Sequence, residues 1–152
     1  YGITKVYVTA PNIKEIRNNS SLTVSSIGVL RYANLTLLSE DYETEEFYTN
    51  GDFILDLEVE NLNITANGFS NFFLTGSAEK TEIALYSGNS RVEAADLLIQ
   101  ELIVFHRSTN KIIVNPQVSI VGEIRSLGDV ISKNEPPVVN VVEYYTGRLI
   151  FD

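Results

Sequence analysis

Five carboxylates crowded into seven residues form the densest set of potentially reactive side chains in this sequence. They are Glu40, Asp41, Glu43, Glu45 and Glu46. Such groups repel one another unless water or a cation separates them, and Ca²⁺ binds about six to eight oxygens of this kind. The string is neither an EF-hand loop nor a glycine-rich calcium repeat. We interpret it as a solvated loop, with cation binding as the alternative.

Aromatic residues accompany these carboxylates and recur as a pair near the end of the chain. Tyr42, Phe47 and Tyr48 flank the acidic residues, and Tyr144 and Tyr145 are adjacent. An exposed aromatic ring can stack on a sugar or pack against a protein partner. The first three rings could equally fold the loop back onto the body of the domain. These five residues are the candidates for a ligand or partner surface.

The sequence lacks the parts of the common catalytic centres. It has no Cys, and the nearest approaches to a nucleophile elbow, "GFSNF" and "GNSRV", lack the second glycine. P-loop and dinucleotide-binding strings are also missing. The single histidine, His106, precedes Arg107, and we interpret it as a turn residue at a strand end. We therefore predict no catalytic residue, no cofactor and no enzyme.

The charge balance excludes several classes of partner. Eleven Lys and Arg against twenty Asp and Glu give a net charge of -9, which opposes a phosphate backbone or an anionic lipid surface. An acidic polysaccharide should be repelled for the same reason. No apolar run approaches the roughly 18 residues of a membrane span. We predict no nucleic-acid partner and no membrane span in this fragment.

An internal repeat indicates the elements that must position these side chains. Each repeat has an anchor, defined as the first apolar residue after a turn rich in Gly, Ser or Asn. The spacings between successive anchors are nearly equal. Repeats of about 20 residues predict a solenoid, in which each coil buries its apolar side against its neighbours. The anchors are Phe53, Phe72, Val92, Ile112, Val130 and Leu149.

The residue types within a repeat predict which solenoid it is. Short alternating stretches such as "TEIALY" and "VSIVGEI" are rich in β-branched and aromatic residues and are typical of strands of roughly three to six residues. The leucine-rich-repeat pattern is absent. We predict an all-β, right-handed parallel β-helix of about six coils of about 18–20 residues. Residues 93–106 also contain good helix formers, so an α-helix is the alternative there.

The repeat also predicts the domain organisation. Residues 1–152 form a single β-helix domain, and Leu22 resembles an earlier anchor, although it lies farther from Phe53 than one repeat would place it. The excess length corresponds to an acidic loop insertion at 39–50. Residues 134–152 form a C-terminal capping segment. Because the ends of a solenoid expose unpaired strands, we expect self-association through coil ends.

Several stretches resemble one protein family. They are "VYVTAPNIKEI", the turns "YSGNSRVEA" and "RSTNKIIVNP", and above all "GEIRSLGDVISKNEPPVVNVVEYYTGRLIF". Together they resemble the head GIN domain family of putative auto-transporter adhesins. The turns depart from that family's usual Ser-Gly-Ser-Gly pattern, and the acidic insertion is not typical of it.

The resemblance implies a place and a role for the domain. It implies a bacterial cell-envelope or exported protein, periplasmic or on the outer surface and often a lipoprotein, with a β-helix-like fold and no established catalytic activity. The expected function is a non-enzymatic scaffold or binding head that contacts a surface glycan or a protein. A carbohydrate-binding module and a polysaccharide lyase-like enzyme are the alternatives.

Overall fold

Strands make up all of the regular secondary structure in the part of the chain that the computed structural model describes, residues 4–40 and 49–152. The predicted all-β class is confirmed. No helix long and apolar enough to cross a membrane occurs in these two ranges. In chain order the strands are β1 (Glu15–Arg17), β2 (Val24–Ser39), β3 (Phe53–Ala66), β4 (Asn71–Leu85), β5 (Arg91–His106), β6 (Ile112–Ile124), β7 (Val130–Ser132), β8 (Val138–Glu143) and β9 (Leu149–Phe151).

The strands stack in parallel, each on the one before, as in a parallel β-helix. The beginning of β6 pairs with β7 and its end pairs with β8, after which β9 pairs with β7. The solenoid therefore has about seven turns. The expected number was about six, counted from Phe53 to Leu149, and the difference comes from the coil of β2, in which Val24 occupies the anchor position.

The predicted anchors lie in one column. Phe53 pairs with Phe72, Phe72 with Val92, and the pairing continues through Ile112 and Val130 to Leu149. All but the last are fully buried. The rings of Phe53 and Phe72 stack face to face, with centroids 4.6 Å apart and planes 9° from parallel. The predicted repeat is thus confirmed as one coil of the solenoid.

The anchor proposed upstream of Phe53 was wrong. Val24, not Leu22, pairs with Phe53, and the Leu22 side chain is 73% exposed. Leu22 lies in the preceding loop, where its carbonyl accepts a hydrogen bond from Asn18 Nδ2 at 2.9 Å. Because Leu22 and Val24 are both apolar and lie on either side of a single residue, alternation in the sequence could not distinguish them.

Residues 93–106, for which a helix was the alternative, belong to strand β5. Two register shifts against β6 divide this strand, between Glu93 and Leu98 and between Ile99 and Glu101. Each shift changes which side chains of the strand point inward. The apolar residues therefore surround a helical wheel even though the segment is extended. Register shifts also interrupt the pairing of β2 with β3 and of β4 with β5, and these strands are longer than predicted.

Polar side chains bond from coil to coil at the turns. Asn89 Nδ2 donates to Thr109 Oγ1 at 2.8 Å, and Asn110 Nδ2 donates to Asn89 Oδ1 at 2.8 Å. Gly88 adopts φ = 79°, which favours glycine, and a side chain there would overlap the backbone of Gly68. The turn motifs in residues 86–115 therefore form corners of the scaffold.

Candidate functional site

In four successive coils, a tyrosine or an arginine directly follows the last long strand segment, and these four residues form a column on the surface. Its members are Tyr86, Arg107, Arg125 and Tyr144, all of them exposed, and we name it the Tyr–Arg column. Each backbone N–H donates to a carbonyl of the preceding coil, and those carbonyls belong to a buried column of register partners. Neighbouring members are therefore about 4.8 Å apart, the spacing of paired strands. The four bonds are Tyr86 to Ala66 (2.9 Å), Arg107 to Leu85 (2.7 Å), Arg125 to His106 (2.8 Å) and Tyr144 to Ile124 (2.8 Å).

Tyr86 of the column contacts an aromatic residue of the next coil. The rings of Tyr86 and Phe105 lie 5.4 Å apart at an angle of 47°, a tilted arrangement that aromatic pairs favour. Phe105 also lines an open cavity of about 450 Å³ together with Arg107 and Arg125. A ligand in this cavity would meet one ring and two guanidinium groups.

The two arginines differ in their surroundings. Arg125 Nε donates to Glu123, and the Arg125 Cζ atom lies 4.0 Å from the centroid of the Tyr144 ring. The bond to Glu123 raises the pKa of Arg125 and leaves its Nη donors available. Within residues 4–40 and 49–152, Arg107 forms no ion pair. Its positive charge is therefore available to a ligand.

This arrangement suits an anionic group attached to a flat or ring-shaped body. A guanidinium binds a carboxylate, sulfate or phosphate through paired N–H donors. Tyrosine offers an apolar face on which a sugar ring can stack and a hydroxyl that can form a hydrogen bond. The column is thus suited to binding an anionic group.

The structure describes three of the residues that were predicted as candidates. Tyr144 belongs to the Tyr–Arg column, and Tyr145 is exposed beside it, with its carbonyl accepting from Arg148 Nη1 at 2.7 Å. Glu40 is half-buried, and its carbonyl accepts a hydrogen bond from Asn19. The other candidates lie outside the described residues: Asp41, Tyr42, Glu43, Glu45, Glu46, Phe47 and Tyr48.

His106 is not the turn residue that the sequence indicated. It is the last residue of β5 and is fully buried in the interior column between Leu85 and Ile124. Burial is the largest influence on it and lowers its pKa from 6.5 to about 4. The imidazole is therefore neutral at physiological pH and cannot contact a ligand on the surface.

A second concave region crosses the early strand segments of β2 to β5. It is a groove of about 430 Å³ whose lining includes Ile54, Phe73, Asp56 and Asp96. Asp56 and Asp96 are each in register with Thr75, which places them two coils, or about 9.6 Å, apart. In the described residues no group of three or more His, Asp or Glu side chains could hold a metal ion.

The sequence contains a signal for the Tyr–Arg column that is visible once the anchors are known. Its members follow the anchors of their own coils at similar but unequal distances along the chain. Because these distances vary and the members lie far apart in the sequence, the column forms no short sequence motif. The prediction accordingly included Tyr144 but not Tyr86, Phe105, Arg107 or Arg125.

Comparisons with known proteins give one family and one related structure. The family model described as "Putative auto-transporter adhesin, head GIN domain" matches residues 2–136. The solved structure of a putative adhesin from Bacteroides fragilis NCTC 9343 is similar with a TM-score of 0.73 and 20% sequence identity. The match covers 86% of this chain and 56% of that one, so this chain spans a little over half of its relative's length. No curated protein matches the chain.

Proposed function

The chain belongs to the head GIN domain family of putative auto-transporter adhesins, and on this premise we propose that it is a non-enzymatic binding head at the bacterial surface. The proposed ligand is an acidic glycan, with carboxylate or sulfate groups on sugar rings. The Tyr–Arg column is the observation that carries the proposal. A lipoprotein anchor and a place in the cell envelope are part of the same proposal.

Local charge at the column offsets the net charge of the chain. The sequence, at -9, predicted that an acidic polysaccharide would be repelled. Exposed charges interact over about 8–10 Å at physiological salt, so nearby groups dominate. Arg107 and Arg125 occupy adjacent coils, and among the described acidic residues it is Glu123 that pairs with Arg125. An anionic group at the column therefore meets an excess of positive charge.

Glycan binding tests the proposal. We expect binding to polygalacturonate or a sulfated glycan, weakening as salt increases, and little binding to an uncharged glucan. The double variant Arg107→Gln with Arg125→Gln should bind at least about tenfold more weakly, since each charged hydrogen bond contributes roughly 1.5–3 kcal/mol. Isothermal titration calorimetry measures both proteins.

A matched control removes the same charge elsewhere. Arg31 and Lys80 are exposed and form ion pairs with Glu58 and Glu101. The variant Arg31→Gln with Lys80→Gln should bind like the wild type. Equal weakening in the two double variants would mean that total charge, not the column, determines binding, and the proposed site would then be wrong.

The assay also separates binding from catalysis. The groove lined by Asp56 and Asp96 is where the enzyme alternative can be tested, because it places two carboxylates in one concave surface. We expect no release of reducing ends or unsaturated products from bound polygalacturonate. Product release that disappears in Asp56→Asn would instead support the enzyme alternative.

A further inference from the structure

The groove of about 430 Å³ on the early segments of β2 to β5 differs in character from the Tyr–Arg column. Residues at two register shifts line it, Ser26 and Gly28 in β2 and Ala95 in β5. Such irregularities often re-aim side chains beside a site. Strands β3, β4 and β5 are each paired on both edges, so most of the groove is formed by interior coils. We name it the acidic groove.

Two rows of side chains run across the coils in the acidic groove. Ile54 and Phe73 are in register on adjacent coils, and their side chains are 51% and 39% exposed. Asp56 and Asp96 are each in register with Thr75. Alternate residues of a strand lie about 6.6 Å apart on the same face. An apolar row therefore lies directly beside an acidic row.

Strands β3 to β5 carry a strong excess of negative charge. Residues 53–106 contain two Lys and Arg against eight Asp and Glu, a net charge of -6. Both basic residues are already paired, Lys80 with Glu101 and Arg91 with Glu93. The ion pairs within the described part of the chain include neither aspartate of the groove. The acidic groove therefore attracts a cationic partner and repels an anionic one.

The spacing of the two aspartates indicates the form of that partner. Asp56 and Asp96 lie two coils, or about 9.6 Å, apart. A polyproline II helix has three residues per turn and rises about 3.1 Å per residue, so every third side chain lies on one face at intervals of about 9.3 Å. Proline-rich segments in this conformation dock on surfaces lined by aromatic side chains. Phe73, with Ile54 beside it, offers such a surface next to the carboxylates.

We propose that the acidic groove binds a basic, proline-rich segment of a partner protein in the polyproline II conformation. Lysine or arginine at every third position pairs with Asp56 and Asp96, and the prolines between them pack on Phe73 and Ile54. This site does not depend on the proposed glycan site, because the groove and the Tyr–Arg column are formed by different segments of the coils. The domain would then carry two sites of opposite charge.

Binding of a short peptide tests the proposal. The probe is (Lys-Pro-Pro)₄ with blocked termini and a fluorescent label, followed by fluorescence anisotropy. We expect binding that weakens as the salt concentration increases. The isomer (Lys-Pro)₄-Pro₄ has the same composition but no two lysines three positions apart, and it should bind about threefold more weakly because one exposed ion pair is lost. Equal binding of the two peptides, or binding of neither, would overturn the proposal.

Removing the two carboxylates tests the location of the site. Asp56→Asn with Asp96→Asn should raise the Kd for (Lys-Pro-Pro)₄ about tenfold, since two exposed ion pairs are lost. Glu60→Gln with Glu82→Gln is the matched control, because both glutamates are exposed on β3 and β4 outside the groove. Equal weakening in both double variants would refute the site. Polygalacturonate binding should be unchanged in the aspartate variant, so failure here is distinguishable from failure of the glycan site.

Two further measurements identify the occupant. Phe73→Ala should also weaken peptide binding, whereas Ile103→Ala, at a side chain 49% exposed on β5, should not. A glucosamine oligomer supplies amines without prolines, and tighter binding of this oligomer than of the peptide would overturn the peptide as the occupant. Self-association of the wild type that is lost in Arg107→Gln with Arg125→Gln would make a second copy the occupant and would equally refute the proposal.

Discussion

Replacing the buried His106 by leucine measures how strongly pH acts on the interior of the solenoid. His106 lies between Leu85 and Ile124 in a column of inward-facing side chains and is fully buried. Its pKa is lowered from 6.5 to about 4, chiefly because burial removes water from the charged form. The neighbours in the column are aliphatic, so leucine suits the position chemically.

The sign and size of the effect follow from the two pKa values. In the unfolded chain the histidine binds a proton as the pH falls below 6.5, whereas the folded protein resists protonation down to about pH 4. The free energy of unfolding therefore decreases between those limits and is fully retained above the upper one. Each pKa unit corresponds to about 1.4 kcal/mol, so the loss is about 2 kcal/mol near pH 5 and about 3 kcal/mol near pH 4.

Urea unfolding of the wild type and His106→Leu at neutral and acidic pH isolates this effect. Carboxylates also titrate over the range, but their contribution is common to both proteins and cancels in the difference. We expect the variant to be at least as stable as the wild type at neutral pH and more stable than it by about 2 kcal/mol near pH 5. If both proteins lose the same stability on acidification, the inference that a neutral imidazole is buried in the core is refuted.

Three further expectations concern the scaffold. In urea unfolding, Gly122→Ala should lower the free energy of unfolding by about 3 kcal/mol or more, because Gly122 has φ = 138° and a Cβ there would overlap the carbonyl oxygen of Val104. Gly28→Ala, at φ = 76° with open space around it, should lower the free energy of unfolding by about 1 kcal/mol. Similar losses in the two variants would contradict the steric argument. Phe72→Ala should cost about 3–5 kcal/mol because it empties the aromatic stack in the core, whereas the exposed Phe73→Ala should cost less than about 1 kcal/mol. Calcium should leave the melting temperature unchanged if the insertion at 39–50 is a solvated loop, and a clear increase would favour the cation alternative.

The repeat was predictable from the sequence because each coil of a solenoid packs on its neighbouring coils in the same way. Each anchor must point into the same interior, so Phe72, Val92 and Ile112 recur at nearly equal spacing and directly follow a recognisable turn. The fold follows from the same positions, since short alternating runs rich in β-branched residues predict strands, and their recurrence about every 20 residues predicts that these strands stack in successive coils. The error at Leu22 shows the limit of this method, because apolar residues at alternate positions fit equally well where the turn is irregular.

The candidate site depends on the register of the chain between one anchor and the next. Register shifts within a coil change which side chains face inward, and they moved His106 from an expected turn into the core. The shifts also vary the number of residues between an anchor and the end of its coil, which hides the column in the sequence. Pairing between coils nevertheless makes Arg107 and Arg125 neighbours, although they lie far apart in the sequence. The amino-acid order therefore determined the period, the strand content and the turns. The tertiary structure decided which distant side chains share a surface, because their alignment depends on hydrogen bonds between coils and not on spacing along the chain.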